Sequence, residues 1–324
     1  MSAQPEILFF TSAGDHIDLR AREVLATYPL HEQTASGDEL SRCQVLMTWP
    51  TRPKAELYSK LPCLRMIQTL SAGVDSLDFG ALPDGVQLFS NAGAYTDTVA
   101  EHAWGLALGV AKGIQAGKKR MAPRHLRAKT LMVVGCGGIG SELARMAKAS
   151  LAMKVIGISR SFKSPERFDE RYGVEGLGRE IGRADLVVNA LPLTRSTRSI
   201  FDFELLMRAK ETAILVNVGR GETVDQGSLL RWLRERPESR YATDVFWKRD
   251  GKEVFDSPAW ELSNFGGTMH TASAQDHEAI ALAQVAAAEN VRLFLETGSA
   301  KNRVDLSEYV SSAPNPSSNP HTIK

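Results

Sequence analysis

The stretch TLMVVGCGGIGSELARMAKAS, Thr130–Ser150, decides the fold. It opens on an apolar run of strand length, turns through the GxGxxG pattern of Gly135, Gly137 and Gly140, with Gly138 and Ile139 between, and continues with apolar residues at helical spacing. Strand, glycine turn and helix in that order predict the first unit of a dinucleotide-binding fold. The glycines permit a tight turn and close backbone approach to a pyrophosphate, which then meets the free N–H groups at the helix start. A second strand, KVIGIS over Lys154–Ser159, follows at the spacing the motif requires.

That second strand also speaks to the choice of cofactor. Where the ribose 2′-OH must be recognised, an Asp or Glu stands at the strand end, and its charge would repel a 2′-phosphate. Here Ser159 takes the position, followed by Arg160, Ser161 and Lys163. These residues offer hydrogen-bond donors and positive charge, so the expectation is NADP(H) in preference to NAD(H).

Outward from this unit, short apolar β-prone runs alternate with helical segments: PEILFF, Ile17–Ala26, CQVLMTW, Lys54–Leu61, LRMIQTLS and QLFSNA before it, then DLVVNA, ILVNVG and YATDVF after it. The alternation predicts an α/β protein with two doubly wound parallel sheets, a Rossmann cofactor domain and a flavodoxin-like substrate domain, with a cleft between them. A helix from about Asp97 to about Gly117 is the expected bridge. The basic stretch GKKRMAPRHLRAK follows it, and a late helix spans Ala274–Glu296. The expected division is residues 1–96 plus 275–310 for the substrate domain and 97–274 for the cofactor domain. The Ser/Pro/Asn-rich residues 311–324 are expected to be a disordered tail.

The 324 residues are 43% hydrophobic and 24% charged, with a net charge of +1. This balance argues against a disordered chain and against a polyanion-binding protein, so no nucleic-acid partner is expected. No apolar run approaches the roughly 18 residues a membrane span requires, and the first residues lack the pattern of a secretory signal. The three cysteines, Cys43, Cys63 and Cys136, have no metal-ligand spacing. A cytoplasmic protein with reduced thiols and no metal is expected.

Several motifs in chain order resemble the D-isomer-specific 2-hydroxyacid dehydrogenase family, from about Ile7 to Tyr309. IQTLSAGVDSLD looks like its substrate-carboxylate loop, TVAEHAWGLAL its interdomain helix, VVGCGGIG its cofactor turn, and ADLVVNALPLT and ILVNVGRGETVD the segments over the nicotinamide. TDVF, GGTMHTAS and AENVRLFLETGSAKNRVD close the series. The resemblance implies reduction of a small 2-keto acid, such as glyoxylate or hydroxypyruvate, by a homodimer. A formate-type dehydrogenase and a cofactor-sensing, co-repressor-like binding protein are the alternatives.

Reducing a 2-keto acid requires a hydride donor, a clamp for the carboxylate, a cation near the carbonyl oxygen and an acid to protonate that oxygen. Arg220, after the strand ILVNVG, has the planar fork for the carboxylate and carbonyl oxygens. His270, after FGGTM, is the acid/base that the resemblance implies, and imidazole is suited to it because it ordinarily titrates near working pH. The resemblance further implies the amides of Ala72 and Gly73 as carboxylate donors, Trp49 toward the substrate, and Pro192, Val218 and Asp244 at the nicotinamide. It places a glutamate five residues beyond Asp244 as the histidine's partner, but Arg249 stands there. Asp250 is the expected substitute, and a longer loop would offer Glu253 instead. His102 and His277 are expected to be structural, and Trp247, like Trp49, is open between the substrate pocket and packing.

Overall fold

The computed structural model describes residues 4–12, 15–116, 121–273 and 276–309. Residues 117–120 of the basic stretch and the whole 311–324 tail lie outside the described residues. The first five strands, β1 (Glu6–Phe10), β2 (Leu30–His31), β3 (Cys43–Thr48), β4 (Met66–Thr69) and β5 (Gln87–Phe89), form one parallel sheet in the order β2-β1-β3-β4-β5. This is the flavodoxin-like winding.

A second parallel sheet contains β6 (Thr130–Val134), β7 (Lys154–Ile158), β8 (Glu170–Tyr172), β9 (Leu186–Asn189), β10 (Ile214–Asn217) and β11 (Arg240–Thr243). A two-stranded hairpin, β12 (Lys248–Arg249) and β13 (Lys252–Glu253), precedes its last strand, β14 (Phe265–Gly267). The sheet order β14-β11-β10-β9-β6-β7-β8 is the doubly wound Rossmann order with one strand added at an edge. The winding reverses between β6 and β9, and the crevice beyond their carboxyl ends is where such sheets bind ligands.

Both sheets are covered on both faces, which explains why their strands read as unbroken apolar runs. Successive side chains alternate between the two faces. In β1, Ile7 and Phe9 meet Ala287, Val291 and Phe294 of the late helix, while Leu8 joins Tyr58, Leu61 and Ile67 on the other side. In β6, Leu131 and Val133 pack with Ala103, Ala107, Leu143 and Ala144, whereas Met132 and Val134 pack with Phe201, Leu229 and Trp232.

The long helix runs Thr96–Lys112 rather than to Gly117, because Gly113 adopts a left-handed conformation at φ +75 and its N–H returns to Gly109 and Val110 carbonyls. Buried Arg240 donates to the carbonyls of Val110 and Ala111 at 2.6 and 3.0 Å, placing a cation at that helix end. The late helix is His277–Thr297, with Asp276 accepting from the Ala279 N–H as its cap. Among the described residues no helix is long and apolar enough to cross a membrane, and no group of three or more His, Cys, Asp or Glu is arranged to hold a metal ion.

Candidate active site

The glycines of the β6 turn divide the work between them. Gly135 has φ +97, and a Cβ there would lie 2.8 Å from the Ala190 carbonyl, so the turn after β6 presses against the loop after β9. A Cβ on Gly140 would lie 2.1 Å from Gly135 O, which lets the helix Gly138–Leu151 close on its own strand. A Cβ on Gly138 would meet Thr96 Oγ1 at 2.5 Å. Gly137, at the helix N-cap, has nothing within 4 Å of that position and leaves the approach open. Ser141 N–H is bonded to Gly137 O at 2.9 Å, so the amides before it begin the helix without intrahelical partners. This cradle fits a pyrophosphate. Ile139 packs into the apolar layer below.

The loops after β9 and β10 complete the floor. Val218 is buried, with its N–H on Asn189 O at 3.0 Å, and exposed Pro192 accepts from Thr197 Oγ1 at 2.6 Å. At the end of β7, a cleft of about 680 Å3 is lined by Ser159, Arg160, Phe162, Arg171, Tyr172 and Thr197, among others. Arg171, on β8, is a cation the sequence reading missed, since the short polar strand ERY carries no alternation. Ser161 N–H lies 3.4 Å from Ser159 Oγ. Lys163 is not among the residues lining this cleft; its N–H is bonded to Cys136 O of the glycine turn at 3.1 Å, and its ammonium lies 3.5 Å from where a Cβ on Gly93 would stand. Arg160 is held by both oxygens of Glu308, at 2.6 and 2.8 Å.

Arg220, beyond β10, crosses to the loop after β4. Its Nε donates to Asp75 Oδ1 at 2.7 Å and its Nη1 to Gly219 O at 2.7 Å. Lys248 Nζ takes the other carboxylate oxygen, Oδ2, at 2.6 Å and bonds Ser76 Oγ at 2.9 Å. The Asp75 side chain is only 7% exposed. Burial alone would raise its carboxyl pKa, yet the Arg220 and Lys248 charges and hydrogen bonds hold it well below the usual carboxylate range. Asp75 in turn raises the pKa of Arg220 against the opposing effect of burial. The remaining nitrogen, Nη2, lies over Gly73, where a Cβ would stand 1.5 Å away. Gly73 thus serves close approach of a side chain, and Ala72 beside it is half-buried. Asp75 and Lys248 were not anticipated, although Asp75 sits inside the quoted loop IQTLSAGVDSLD.

His270 adopts φ +55, a left-handed conformation costly for a non-glycine residue, and its N–H is tied to Asp244 O at 2.8 Å. Its Nδ1 lies 2.6 Å from Glu253 Oε2. Glu253, rather than Asp250, is therefore the histidine's partner. Asp250 and Gly251, at φ +51 and +74, form a two-residue turn in which Lys248 faces Glu253 and Arg249 faces Lys252. Asp250 is exposed at its tip. An Asp-Gly pair between two polar dipeptides is a hairpin signal, and counting along the loop as if it were extended missed it. Glu253 is fixed from behind, its Oε1 accepting the Phe246 N–H.

Asp244 is buried and takes bonds from Thr268 Oγ1 at 2.6 Å, Thr271 N–H at 2.8 Å and Ala272 N–H at 3.2 Å. Burial raises its pKa, but hydrogen bonds led by His102 and Thr268 lower it overall. In this structure it organises the turn that carries His270. His102 reaches the same group, 2.7 Å from Thr268 Oγ1.

The model of the D-isomer specific 2-hydroxyacid dehydrogenase NAD-binding domain matches residues 86–272, more than half of the chain. The chain belongs to the D-isomer specific 2-hydroxyacid dehydrogenase family. It is 33% identical to the glyoxylate reductase of Aeropyrum pernix over 269 residues, 76% of this chain and 77% of that one. The D-3-phosphoglycerate dehydrogenase of Methanocaldococcus jannaschii is 30% identical over 88% of this chain, but the match spans only 59% of that longer protein. Among solved structures, a family member from Xanthobacter autotrophicus in complex with NADPH and MES aligns with a TM-score of 0.75 at 26% identity, covering 94% of this chain and 99% of that one. A candidate formate dehydrogenase from Pyrobaculum aerophilum aligns at 0.81 and 27%, covering 94% and 100%.

In this dehydrogenase Trp49 and Trp247 both pack. Trp49, expected toward the substrate, is partly buried against the cluster of Ile7, Ile17 and Val291, so its indole serves the core beside β3. Trp247 donates from its indole to Val224 O at 2.7 Å and stands edge-on to Phe246. His277 is exposed at the start of the late helix.

Proposed function

We propose that this dehydrogenase reduces small 2-keto acids, such as glyoxylate or hydroxypyruvate, to D-2-hydroxy acids with NADPH. The observation that carries this reading is the Asp75-anchored Arg220 standing over Gly73, in a loop network that reaches His270 through the Lys248–Glu253 hairpin. A bound nicotinamide supplies the hydride to the carbonyl carbon. Arg220, with two of its nitrogens committed to Asp75 and Gly219, presents Nη2 with the Ala72 and Gly73 amides to the substrate's carboxylate, and its charge polarises the carbonyl. His270 protonates the carbonyl oxygen, and Glu253 holds the imidazole from its far side. At 47% exposed, the imidazole can recover its proton from solvent.

NADP(H) is preferred in this reading because no carboxylate ends β7, while Arg160 and Arg171 line the cleft there. The NADPH in the Xanthobacter structure supports the same choice by analogy. The domain division at residues 97 and 274, a homodimer and a cytoplasmic setting belong to the same proposal. A co-repressor-like role loses its motivation, since the displaced glutamate has a replacement in Glu253. Formate oxidation remains the second reading, favoured by the Pyrobaculum neighbour. Steady-state rates on glyoxylate, hydroxypyruvate, other 2-keto acids and formate, each with both nicotinamide cofactors, test the proposal. Turnover of formate alone, or a preference for NAD over NADP, overturns it.

A further inference from the structure

Arg160 is the cation that the cofactor reading needs at the end of β7, and it is already engaged. Both terminal nitrogens of its guanidinium meet Glu308, Nη1 to Oε1 at 2.6 Å and Nη2 to Oε2 at 2.8 Å. Glu308 closes a short turn, Leu306–Glu308, in the returning segment of the chain. Asp305 caps that turn through Ser307, and Glu308 O accepts the Arg195 N–H at 2.9 Å. Arg195 stands next to Ser196 and Thr197, which line the same cleft as Arg160. The carboxylate therefore sits at the rim of the cleft, on a turn with its own anchors.

A parallel fork-to-carboxylate contact uses the donors a phosphate would use. A 2′-phosphate carries up to twice the charge of a carboxylate and a third oxygen, so it can displace Glu308. The pair is also partly in water, the guanidinium 63% and the carboxylate 32% exposed, so its separation costs little. Left in place, Glu308 would both withhold Arg160 and repel the incoming charge.

We propose that Glu308 tunes cofactor choice by competing with the 2′-phosphate of NADP(H) for Arg160. NADP(H) must part Arg160 from Glu308, whereas NAD(H) has no group that requires it. The inference deepens the NADP(H) reading and rests on Arg160 as the phosphate ligand. It assigns Glu308 the opposite sign from an orienting partner, whose loss would weaken NADPH.

The test is calorimetric titration of the full chain with NADPH and with NADH, comparing the wild type with Glu308→Gln and Arg160→Ala. Glu308→Gln is expected to tighten NADPH by about two- to fivefold, the size of an exposed ion pair, and to leave NADH unchanged. The gain should shrink at high salt and be largely lost in the double variant. If Arg160→Ala weakens NADPH but Glu308→Gln leaves it unchanged or weaker, the competition is wrong and the phosphate site stands. If Arg160→Ala leaves NADPH affinity unchanged, the phosphate assignment fails and the role of Glu308 falls with it. Thermal unfolding of each variant, expected within a few degrees of wild type for so exposed a pair, verifies that the titrated protein is folded.

Discussion

Lys248 and Glu253 face each other across a two-residue hairpin, and each holds a different half of the candidate site. Lys248 Nζ lies 2.6 Å from Asp75 Oδ2, on the loop after β4, while Glu253 Oε2 lies 2.6 Å from His270 Nδ1, beyond β14. Asp75 also holds Arg220, so one small hairpin joins the side chain proposed to bind substrate to the one proposed to protonate it. Its position is set by backbone pairing, by the Lys248–Asp75 ion pair at one end and by the Glu253–His270 hydrogen bond at the other, which resists the independent drift of either half.

Glu253→Gln is expected to lower kcat for keto-acid reduction by about 10- to 100-fold, the rate equivalent of losing a hydrogen bond to a charged group. Asp250→Asn is expected to change neither rate nor stability, because Asn-Gly suits a turn with two positive φ values as well as Asp-Gly does. Stopped-flow or steady-state rates on the two variants decide the matter. A slow Asp250→Asn enzyme beside a normal Glu253→Gln enzyme would contradict the arrangement.

Replacing the proposed acid itself should remove more. His270→Ala is expected to reduce kcat by roughly 10²- to 10⁴-fold and leave NADPH binding nearly intact, since the imidazole is hydrogen-bonded to Glu253 of the hairpin and the glycine turn lies after β6. Alanine at a left-handed position also strains the loop, so His270→Asn, which tolerates that conformation, is the better control. Both should lose turnover, and fluorescence titration with NADPH should give wild-type affinity. Wild-type rates in His270→Asn would remove His270 from the mechanism.

Both sheets, the glycine turn and the bridge helix were legible in the sequence because continuous apolar runs and glycine spacing are local signals. The positions of Arg220 and His270 came from motif order. What stayed hidden depends on contacts between distant residues. Short edge strands such as β2 and β8 carry too few residues for periodicity to register. Asp75 looks like an ordinary loop aspartate until Arg220 and Lys248 arrive from 145 and 173 residues away. Glu253 was within reach of the sequence, through the Asp-Gly turn, but only if the loop was read as a hairpin instead of counted as extended chain.

Asp75 makes stability depend on acid in a definite direction. Its folded-state pKa is depressed by Arg220 and Lys248, so its contribution is present above the ordinary aspartate value near about 4 and is lost as pH falls through the lower folded value. Asp75→Asn leaves two partly buried cations without their shared counter-charge and is expected to cost about 3–5 kcal/mol at neutral pH. Denaturant unfolding from pH 7 to pH 2 should show the gap between wild type and variant narrowing below about pH 4. A gap that stays constant through that range would mean the carboxylate charge is not what Asp75 contributes.

Gly73→Ala isolates the approach of Arg220 to the loop. The backbone at Gly73 has no positive φ, so alanine is conformationally acceptable there and the obstacle is space alone. Its Cβ would stand 1.5 Å from Arg220 Nη2 and 2.6 Å from Cζ, contacts that require the guanidinium to leave. Arg220 would give up either Asp75 or its position over the loop. Overpacking of this kind costs about 1–3 kcal/mol of stability. Catalysis should suffer more, because a displacement near 1 Å at a positioning group costs roughly 100-fold. The cofactor turn lies on other loops, so NADPH affinity should not change. Gly138→Ala, whose Cβ would meet Thr96 Oγ1 at the start of the bridge helix, should show the reverse pattern, with weakened NADPH and an intact grip between Arg220 and Asp75. If Gly73→Ala weakened NADPH while sparing kcat/KM for the keto acid, Arg220 would not be the group that meets the substrate over this loop.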